Sequence, residues 1–356
     1  MHKDMSASRS EINFLPRCAT LAIGSLPHTD PEAAVDMMLK YNPVCPGWPQ
    51  LPKIDFREGM YIQYAQGMPA AIVEEEGRKI YFNIEKAPEE MAGFYEHYLA
   101  EDVDYCAITA EYARGLDLML GRLPVPGALF TKGQVTGPVS FGLSVTDSAR
   151  KPVLYHEDLF EAVVKTLACK GRWQAERFRE AAPEQQPIIF FDEPYLTQVG
   201  SAMISLSREQ VISFLNECYA AVDGYTGTHV CGGTDWGLLA STGVDILHFD
   251  AFKHLQELLI YEKEIAAFME RGGVLAWGIV PTGRKAFEMN TRELAERVLS
   301  GAEKVAGFGA GLSTEAVLER SFISESCGLG SRDIETAERC LSLAAAVSDV
   351  LASQIC

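Results

Sequence analysis

Histidine and cysteine stand two residues apart at His229 and Cys231, at the end of an apolar stretch. Side chains alternate across the faces of a strand, so these two would project from the same side. Asp250 and Cys327 close two later apolar stretches. Two sulfurs, one imidazole and one carboxylate form a ligand set that suits zinc. The sequence therefore predicts a zinc site built from these four residues, with His248 as the alternative to Asp250.

The elements that must position these residues follow a simple alternation. Short apolar runs, each a candidate strand, alternate with amphipathic helical patterns, which indicates a parallel sheet with helices packed outside. The runs are Leu21–Ser25, Cys45–Leu51, Ala128–Thr136, Ile188–Glu193, Tyr225–Cys231, Ile246–Asp250, Val274–Val280 and Ser321–Cys327. Eight strands fit a (β/α)8 TIM barrel, whose strands end at one common face. A doubly wound open sheet is the alternative. In the barrel, residues far apart in sequence converge at that face.

Helical patterns separate several of the runs. They cover Pro31–Lys40, Asp158–Ala181, Ser207–Val222, Leu255–Arg271, Thr291–Val305 and Asp333–Gln354. Residues 53–126 interrupt the alternation: Ala70–Val73 and Lys79–Phe82 are predicted to form a β-hairpin, and helices around Pro88–Ala100 and Thr109–Gly121 follow. We interpret residues 1–356 as a single barrel domain with an inserted hairpin and helical elaboration at 53–126.

Composition narrows the classes of partner. The 356 residues carry 31 Lys+Arg against 49 Asp+Glu, a formal net charge of −18, without a Lys/Arg run. This balance argues against nucleic acid and anionic membranes as partners. The nine cysteines are odd in number and irregularly spaced, which argues against a disulfide framework. The start, Met1–Ser10, is polar, and no apolar stretch approaches about 20 residues. We therefore expect a cytoplasmic protein.

Several short motifs occur in a fixed order along the chain. They are Ile23-Gly-Ser25, Thr136-Gly-Pro-Val139, Asp192-Glu-Pro194, Thr228-His-Val-Cys231 and Cys327-Gly-Leu329. Together they resemble the catalytic C-terminal barrel of cobalamin-independent methionine synthase. That family belongs to the uroporphyrinogen decarboxylase and methionine synthase superfamily, whose fold is a (β/α)8 barrel. The segment from His229 to Thr234 is also similar to methylcobalamin:coenzyme M methyltransferases.

The resemblance implies a zinc-dependent methyltransferase with a small thiol, homocysteine first, as the methyl acceptor. His229, Cys231, Asp250 and Cys327 would bind Zn²⁺, with Asp250 standing where the family has Glu. The metal would keep the substrate sulfur ionised, since a coordinating thiol loses its proton. No catalytic residue beyond the zinc site is assigned.

The same resemblance implies how the acceptor would be held. Asp192 would pair with the ammonium group of the substrate. Ile23, Gly24 and Ser25 would hold its carboxylate through backbone N–H groups and a hydroxyl. Gly24 permits close approach of the backbone.

One departure from the family concerns the methyl donor. The family has a His after the seventh strand that protonates the folate leaving group, whereas Trp277–Gly283 contains none. A folate nitrogen leaves poorly without a proton, so loss of a general acid is costly. A corrinoid Co–CH₃ bond needs no such proton. We therefore expect methylcobalamin, carried by a corrinoid protein, with methyl-folate as the alternative donor.

Three other interpretations stay open at this point. Coenzyme M is an alternative acceptor within the same chemistry. A uroporphyrinogen decarboxylase-like enzyme without metal shares the fold, but the first strand lacks the Arg-rich motif that binds several carboxylates. A non-catalytic protein that keeps the metal or corrinoid site is the third.

Overall fold

The computed structural model describes residues 15–201, 204–309 and 311–355, so Met1–Ser10 and Cys356 lie outside the described residues. The strands are β1 (Ala71–Glu74), β2 (Lys79–Phe82), β3 (Phe130–Thr136), β4 (Gln186–Asp192), β5 (Tyr225–Val230), β6 (Ile246–Phe249), β7 (Val274–Val280) and β8 (Ser321–Glu325). The helices are α1 (Pro31–Tyr41), α2 (Ala87–Leu99), α3 (Arg114–Arg122), α4 (Pro138–Ser144), α5 (Glu157–Ala181), α6 (Arg208–Ala221), α7 (Trp236–Ala240), α8 (Leu255–Leu259), α9 (Glu262–Glu270), α10 (Lys285–Glu288), α11 (Thr291–Ala306), α12 (Thr314–Glu319) and α13 (Ile334–Ala352).

The main sheet is parallel, and helices alternate with its strands along the chain, as the sequence pattern predicts. Strands β3 to β8 pair side by side in sequence order, every pair parallel. The strands are buried along nearly their whole length, as expected where helices cover one face and side chains fill the other. In β4, Ile189 and Phe191 pack in the large core against the helices, whereas Ile188 and Phe190 join a second, smaller cluster on the opposite face.

The prediction of eight complete strands is corrected to six. The first two predicted strands, Leu21–Ser25 and Cys45–Leu51, are extended segments that make only isolated parallel bridges. These bridges are Thr20 to Ile323, Ser25 to Gln50 and Gly47 to Lys132. Prolines at 46 and 49 have no N–H to donate, and Gly24 has a φ of +131°, so the ladder is interrupted there. Some backbone hydrogen bonds remain, such as that from the N–H of Leu21 to the Ile323 carbonyl. The bridges nevertheless link β8, the two segments and β3 in that order.

The segment 53–126 contains the predicted hairpin. β1 and β2 pair antiparallel with Ala71 opposite Phe82, and helices α2 and α3 follow. Farther along, the single helix predicted over Leu255–Arg271 is divided at Ile260–Tyr261 into α8 and α9. In the described part of the chain, no helix combines the length and the apolar composition that crossing a bilayer requires.

Candidate metal centre

Strand β5 presents the imidazole and the first thiol of the candidate site. His229 is the fifth residue of β5 and is only 4% exposed, while Cys231 follows the last strand residue and is half-buried. Their separation by two residues places both side chains on the same side of the strand. Strand β4 runs beside β5 with Asp192 directly opposite His229. A carboxylate therefore lies next to the imidazole.

Cys327 reaches the same place from the last strand of the sheet, β8. It lies two residues beyond β8, at the edge where the parallel strands end. The ligand atoms of His229, Cys231 and Cys327 all lie within 4.8 Å of one another. An imidazole and two thiols at this separation can surround a single metal ion, and their chemistry suits Zn²⁺. Their role as ligands stays a prediction, but the donors fit the metal.

The three groups hydrogen-bond to one another, and these contacts shift their pKa values. Hydrogen bonding with Cys327 lowers the pKa of Cys231 to about 7, and the same contact together with burial raises the pKa of Cys327 to about 12. Burial opposes the charge on His229, yet its hydrogen bond to Cys327 leaves its pKa raised. The contact therefore favours the ionised form of Cys231, which is the form that binds a metal.

Asp250 is placed near this group but not inside it. It follows β6 directly and is buried, and its Oδ1 accepts a hydrogen bond of 2.9 Å from the N–H of Lys253. Burial raises the pKa of Asp250, while its charge raises that of Cys231. Among the described residues, the cluster with metal-ligand spacing contains no carboxylate. The fourth ligand predicted from sequence thus caps the turn after β6 in this structure.

His248, the alternative to Asp250, also lies outside the cluster of three. It stands directly opposite His229 in the pairing of β5 with β6. The two Nδ1 atoms are 2.8 Å apart, and the rings meet edge to face with centroids 4.6 Å apart. His248 therefore contacts the predicted ligand His229 at the Nδ1 atom of its ring.

Asp192 has an unused oxygen. Its Oδ1 is enclosed and makes no hydrogen bond within the part of the chain that the structure describes. Burial raises the pKa of Asp192, and the positive charges of Lys132 and His229 oppose that rise. An enclosed carboxylate oxygen without a partner is costly unless a ligand supplies the donor. A cationic group bound beside His229 would satisfy it.

The segment predicted to bind the substrate carboxylate, Ile23–Ser25, already makes some hydrogen bonds within the protein. The N–H of Ile23 donates to Oε1 of Glu325 at 2.7 Å, and its carbonyl accepts from Nζ of Lys132 at 2.6 Å. Ile23 therefore has no free N–H for a ligand. The Ser25 hydroxyl accepts from the N–H of Gly330 at 3.2 Å and keeps its own proton to donate. A Cβ on Gly24 would lie 2.9 Å from the Gln134 side chain, so the close approach requires glycine there.

Lys132 and Glu325 were missed in the sequence-based prediction. Both are buried, at 1% and 2% exposure, and both belong to apolar strand runs. Nζ of Lys132 also donates to Oε1 of Gln134 at 3.2 Å and lies 5.0 Å from the Phe190 ring centroid. A lone charge inside an apolar strand run was the available signal, since isolated charges are rarely buried without partners.

Glu193 connects two of the sequence motifs. Its carboxylate accepts from the N–H groups of Val139 and Ser140 at 2.9 and 2.7 Å and from the Ser140 hydroxyl at 2.6 Å. It therefore caps the first turn of α4. A Cβ on Gly137 would lie 2.3 Å from the Glu193 carboxyl carbon. The glycine and the glutamate fit one another, which gives Glu193 a structural role.

Comparison with known proteins gives structural neighbours but no sequence match. No family model and no curated protein matches the chain. A B12-independent methionine synthase from Shewanella sp. W3-18-1, solved with selenomethionine, is similar with a TM-score of 0.44 and 17% identity over 63% of each chain. A putative vitamin-B12 independent methionine synthase from Listeria monocytogenes is similar with a TM-score of 0.49 and 13% identity, over 92% of this chain and 86% of its own.

Both neighbours are named as methionine synthases, as is the family that the motifs resemble. The chain spans less than two thirds of the length of the Shewanella enzyme. Both TM-scores lie below 0.5.

Proposed function

We propose that this protein is a zinc-dependent methyltransferase that moves a methyl group to the sulfur of a small thiol, homocysteine first. The observation that carries the proposal is the convergence of His229, Cys231 and Cys327, whose ligand atoms lie within 4.8 Å of one another. The unpartnered Oδ1 of Asp192, on the strand next to His229, supports an acceptor that carries an ammonium group.

Bound zinc would supply one thing, a lowered pKa that keeps the acceptor thiol ionised and nucleophilic at neutral pH. His229, Cys231 and Cys327 would hold the metal. Two thiolate ligands are strong electron donors and suit a metal that has no redox chemistry of its own. Asp250 is kept as the proposed fourth ligand, with its closeness to Cys231 as support.

The other residues would position the acceptor. Asp192 would bind the ammonium group. The Ser25 hydroxyl and the N–H of Gly24 would bind the carboxylate, while the Ile23 peptide is held in place by its own two hydrogen bonds. An acceptor fixed at both charged ends presents its sulfur in one orientation, and such positioning accelerates a transfer between two substrates.

For the donor we propose a methyl-corrinoid, brought by a corrinoid protein that docks at the edge where the strands end. The support is chemical: β7 and the residues after it, to Gly283, contain no His that could protonate a folate leaving group. Methyl-tetrahydrofolate is the alternative, and both structural neighbours are described as B12-independent.

The fold proposal that accompanies this function is a closed (β/α)8 barrel in one domain over residues 1–356. The isolated bridges between β8, the two extended segments and β3 support closure. We propose a cytoplasmic location, which the odd number and irregular spacing of the nine cysteines support. We also propose that neither nucleic acid nor membrane is a partner, which the net charge of −18 supports.

A crossed assay tests the proposal. Anaerobically purified protein is analysed for zinc and then incubated with methylcobalamin or methyl-tetrahydrofolate, each with homocysteine or coenzyme M. We expect about one zinc per chain and methylation of homocysteine with methylcobalamin. If only methyl-tetrahydrofolate gives transfer, the donor is methyl-folate and not a methyl-corrinoid. If only coenzyme M is methylated, the acceptor is coenzyme M and not homocysteine. Zinc-free protein that transfers no methyl group in any of the four combinations would refute the proposal.

A further inference from the structure

The contact between His229 and His248 is not explained by the fold alone. Two Nδ1 atoms at 2.8 Å must share a proton, because two lone pairs at that distance repel and two N–H groups collide. Both rings are buried, at 4% and 0% exposure, so water does not mediate the contact. One ring therefore donates and the other accepts.

Metal binding decides which ring is the donor. With Nδ1 of His229 directed at His248, Nε2 is the atom left for a metal, and a metal ligand must offer a lone pair there. A neutral His229 then carries its proton on Nδ1 and donates it to Nδ1 of His248. If His248 were the donor instead, the His229 proton would lie on Nε2 and block the metal.

We infer that His248 is a positioning residue for the metal: it accepts the Nδ1 proton of His229 and so holds that imidazole in the tautomer and orientation that bind zinc. This inference rests on the zinc site of the proposed function. Metal-binding histidines commonly need such a partner behind the ring, and removing it weakens metal binding.

The surroundings of His248 favour this role over that of a donor or a ligand. His248 is fully buried and lies outside the group of three residues whose ligand atoms lie within 4.8 Å of one another, so its imidazole contacts His229 rather than the metal position. Its Nε2 has no hydrogen-bond partner of good geometry among the described residues.

The neighbouring strand leaves space for the His248 ring. A Cβ on Gly278 of β7 would lie 3.0 Å from Cε1 of His248, so the glycine lets the ring lie over the strand toward β8. There the backbone carbonyl of Glu325 lies near the ring. When His248 accepts at Nδ1, its own proton is on Nε2, and this carbonyl is the nearby acceptor.

Three variants test the inference by metal affinity. His248→Phe keeps the ring volume without an acceptor, His248→Asn offers an amide oxygen near the position of Nδ1, and His28→Phe removes another buried imidazole whose charged neighbours are Asp30 and Glu338. Zinc affinity is measured by competition with a chromophoric chelator. We expect His248→Phe to bind zinc about 10- to 100-fold more weakly, His248→Asn to recover most of the loss, and His28→Phe to match wild type.

The tautomer can be read directly in the wild type. Histidine-selective ¹⁵N labelling and long-range ¹H–¹⁵N correlation of the zinc-loaded protein should show the His229 proton on Nδ1 and the His248 proton on Nε2. This readout decides the matter even if His248→Phe fails to fold. A proton on Nε2 of His229, or wild-type zinc affinity in His248→Phe, would overturn the inference.

The outcomes separate this inference from the proposed function. Wild type that binds zinc but transfers no methyl group would overturn the function and leave the role of His248 to the affinity and tautomer data. Wild type that binds no zinc would overturn both.

Discussion

The two parts of the main sheet are built differently. Strands β3 to β8 form a continuous parallel ladder. His229 lies in β5, and Cys231 and Cys327 lie just after the ends of β5 and β8. The two extended segments that link β8 to β3 make only isolated bridges. Backbone hydrogen bonds, such as those from the N–H of Leu21 to the Ile323 carbonyl and from the N–H of Lys132 to the Pro46 carbonyl, also join them to β8 and β3. In addition, the buried side chains of Lys132 and Glu325 hold both sides of the Ile23 peptide.

The two parts of the sheet therefore differ in what positions their residues. In the ladder, backbone hydrogen bonds fix strand register, and the sheet curls across β6 and β7, so that donors after β5 and β8 lie within 4.8 Å of one another. In the linking segments, the Ile23 peptide next to the proposed acceptor site is held by two individual charged side chains. Substitutions at His229, Cys231 or Cys327 should therefore weaken metal binding without unfolding the sheet. Substitutions at the buried charges Lys132 and Glu325 should instead disturb the Ile23–Ser25 segment and lower the stability of the protein together.

The largest effect is expected on the ladder side. Cys327→Ser replaces a thiolate ligand by a hydroxyl that does not ionise near neutral pH, so zinc should fall from about one per chain to background, and methyl transfer with it. Zinc analysis of anaerobically purified protein measures this. Cys340→Ser is the matched control, since this buried thiol donates to the Pro281 carbonyl at 3.5 Å and a hydroxyl can replace it. Full zinc content in Cys327→Ser would contradict the site.

The next effect probes the linking segments. Lys132→Met leaves the buried Glu325 and Asp192 without a nearby cation, and loss of one partner from a buried charged set costs about 3–5 kcal/mol. Urea unfolding should show this loss, and Lys132→Met with Glu325→Gln should lose less. Lys285→Met, at an exposed pair with Glu288, should change stability by less than about 0.5 kcal/mol. Equal stability of Lys132→Met and wild type would remove the contrast between the two regions.

The third effect concerns pH and the cap on α4. Burial raises the pKa of Glu193 to about 7, above the ordinary value of about 4.5. Between these values the native state binds more protons than the unfolded state, so the stability that Glu193 contributes is present below about pH 4.5 and is lost as pH rises through 7. Relative to Glu193→Gln, wild type should lose up to about 3 kcal/mol between pH 4.5 and 7.5.

Urea unfolding of both proteins across this pH range measures the difference. Wild type that gains stability relative to Glu193→Gln on going to higher pH would reverse the sign and show a carboxylate that is ionised in the native state. The cap would then resemble an ordinary charged N-cap.

The smallest effect joins the two regions at the acceptor. Asp192→Asn removes the charge opposite the ammonium group, and a hydrogen bond to a charged group contributes about 1.5–3 kcal/mol, equivalent to about a 10- to 100-fold rise in KM for homocysteine. The zinc content should not change. With 3-mercaptopropionate, which has no ammonium group, KM should stay at the wild-type value. An equal rise for both thiols would assign Asp192 a role other than ammonium binding.

Much of the fold could be predicted because its signals are local. The six strands of the ladder agree with predicted apolar runs, and the hairpin at Ala71–Glu74 and Lys79–Phe82 lies where turn residues separate two short β-rich segments. The first two strands were predicted too regular, because apolar composition does not report whether backbone N–H groups find partners. Prolines 46 and 49 carried that warning.

By itself, the sequence determined which residues could bind a metal and that strand ends would bring them together, because side-chain alternation and parallel order follow from short-range patterns. Only the tertiary structure decided that Asp250 caps a turn, that His248 contacts His229, and that Glu325 occupies the Ile23 N–H. Each of these depends on the distance and direction between side chains on different strands. Those are fixed by register and packing across the whole sheet.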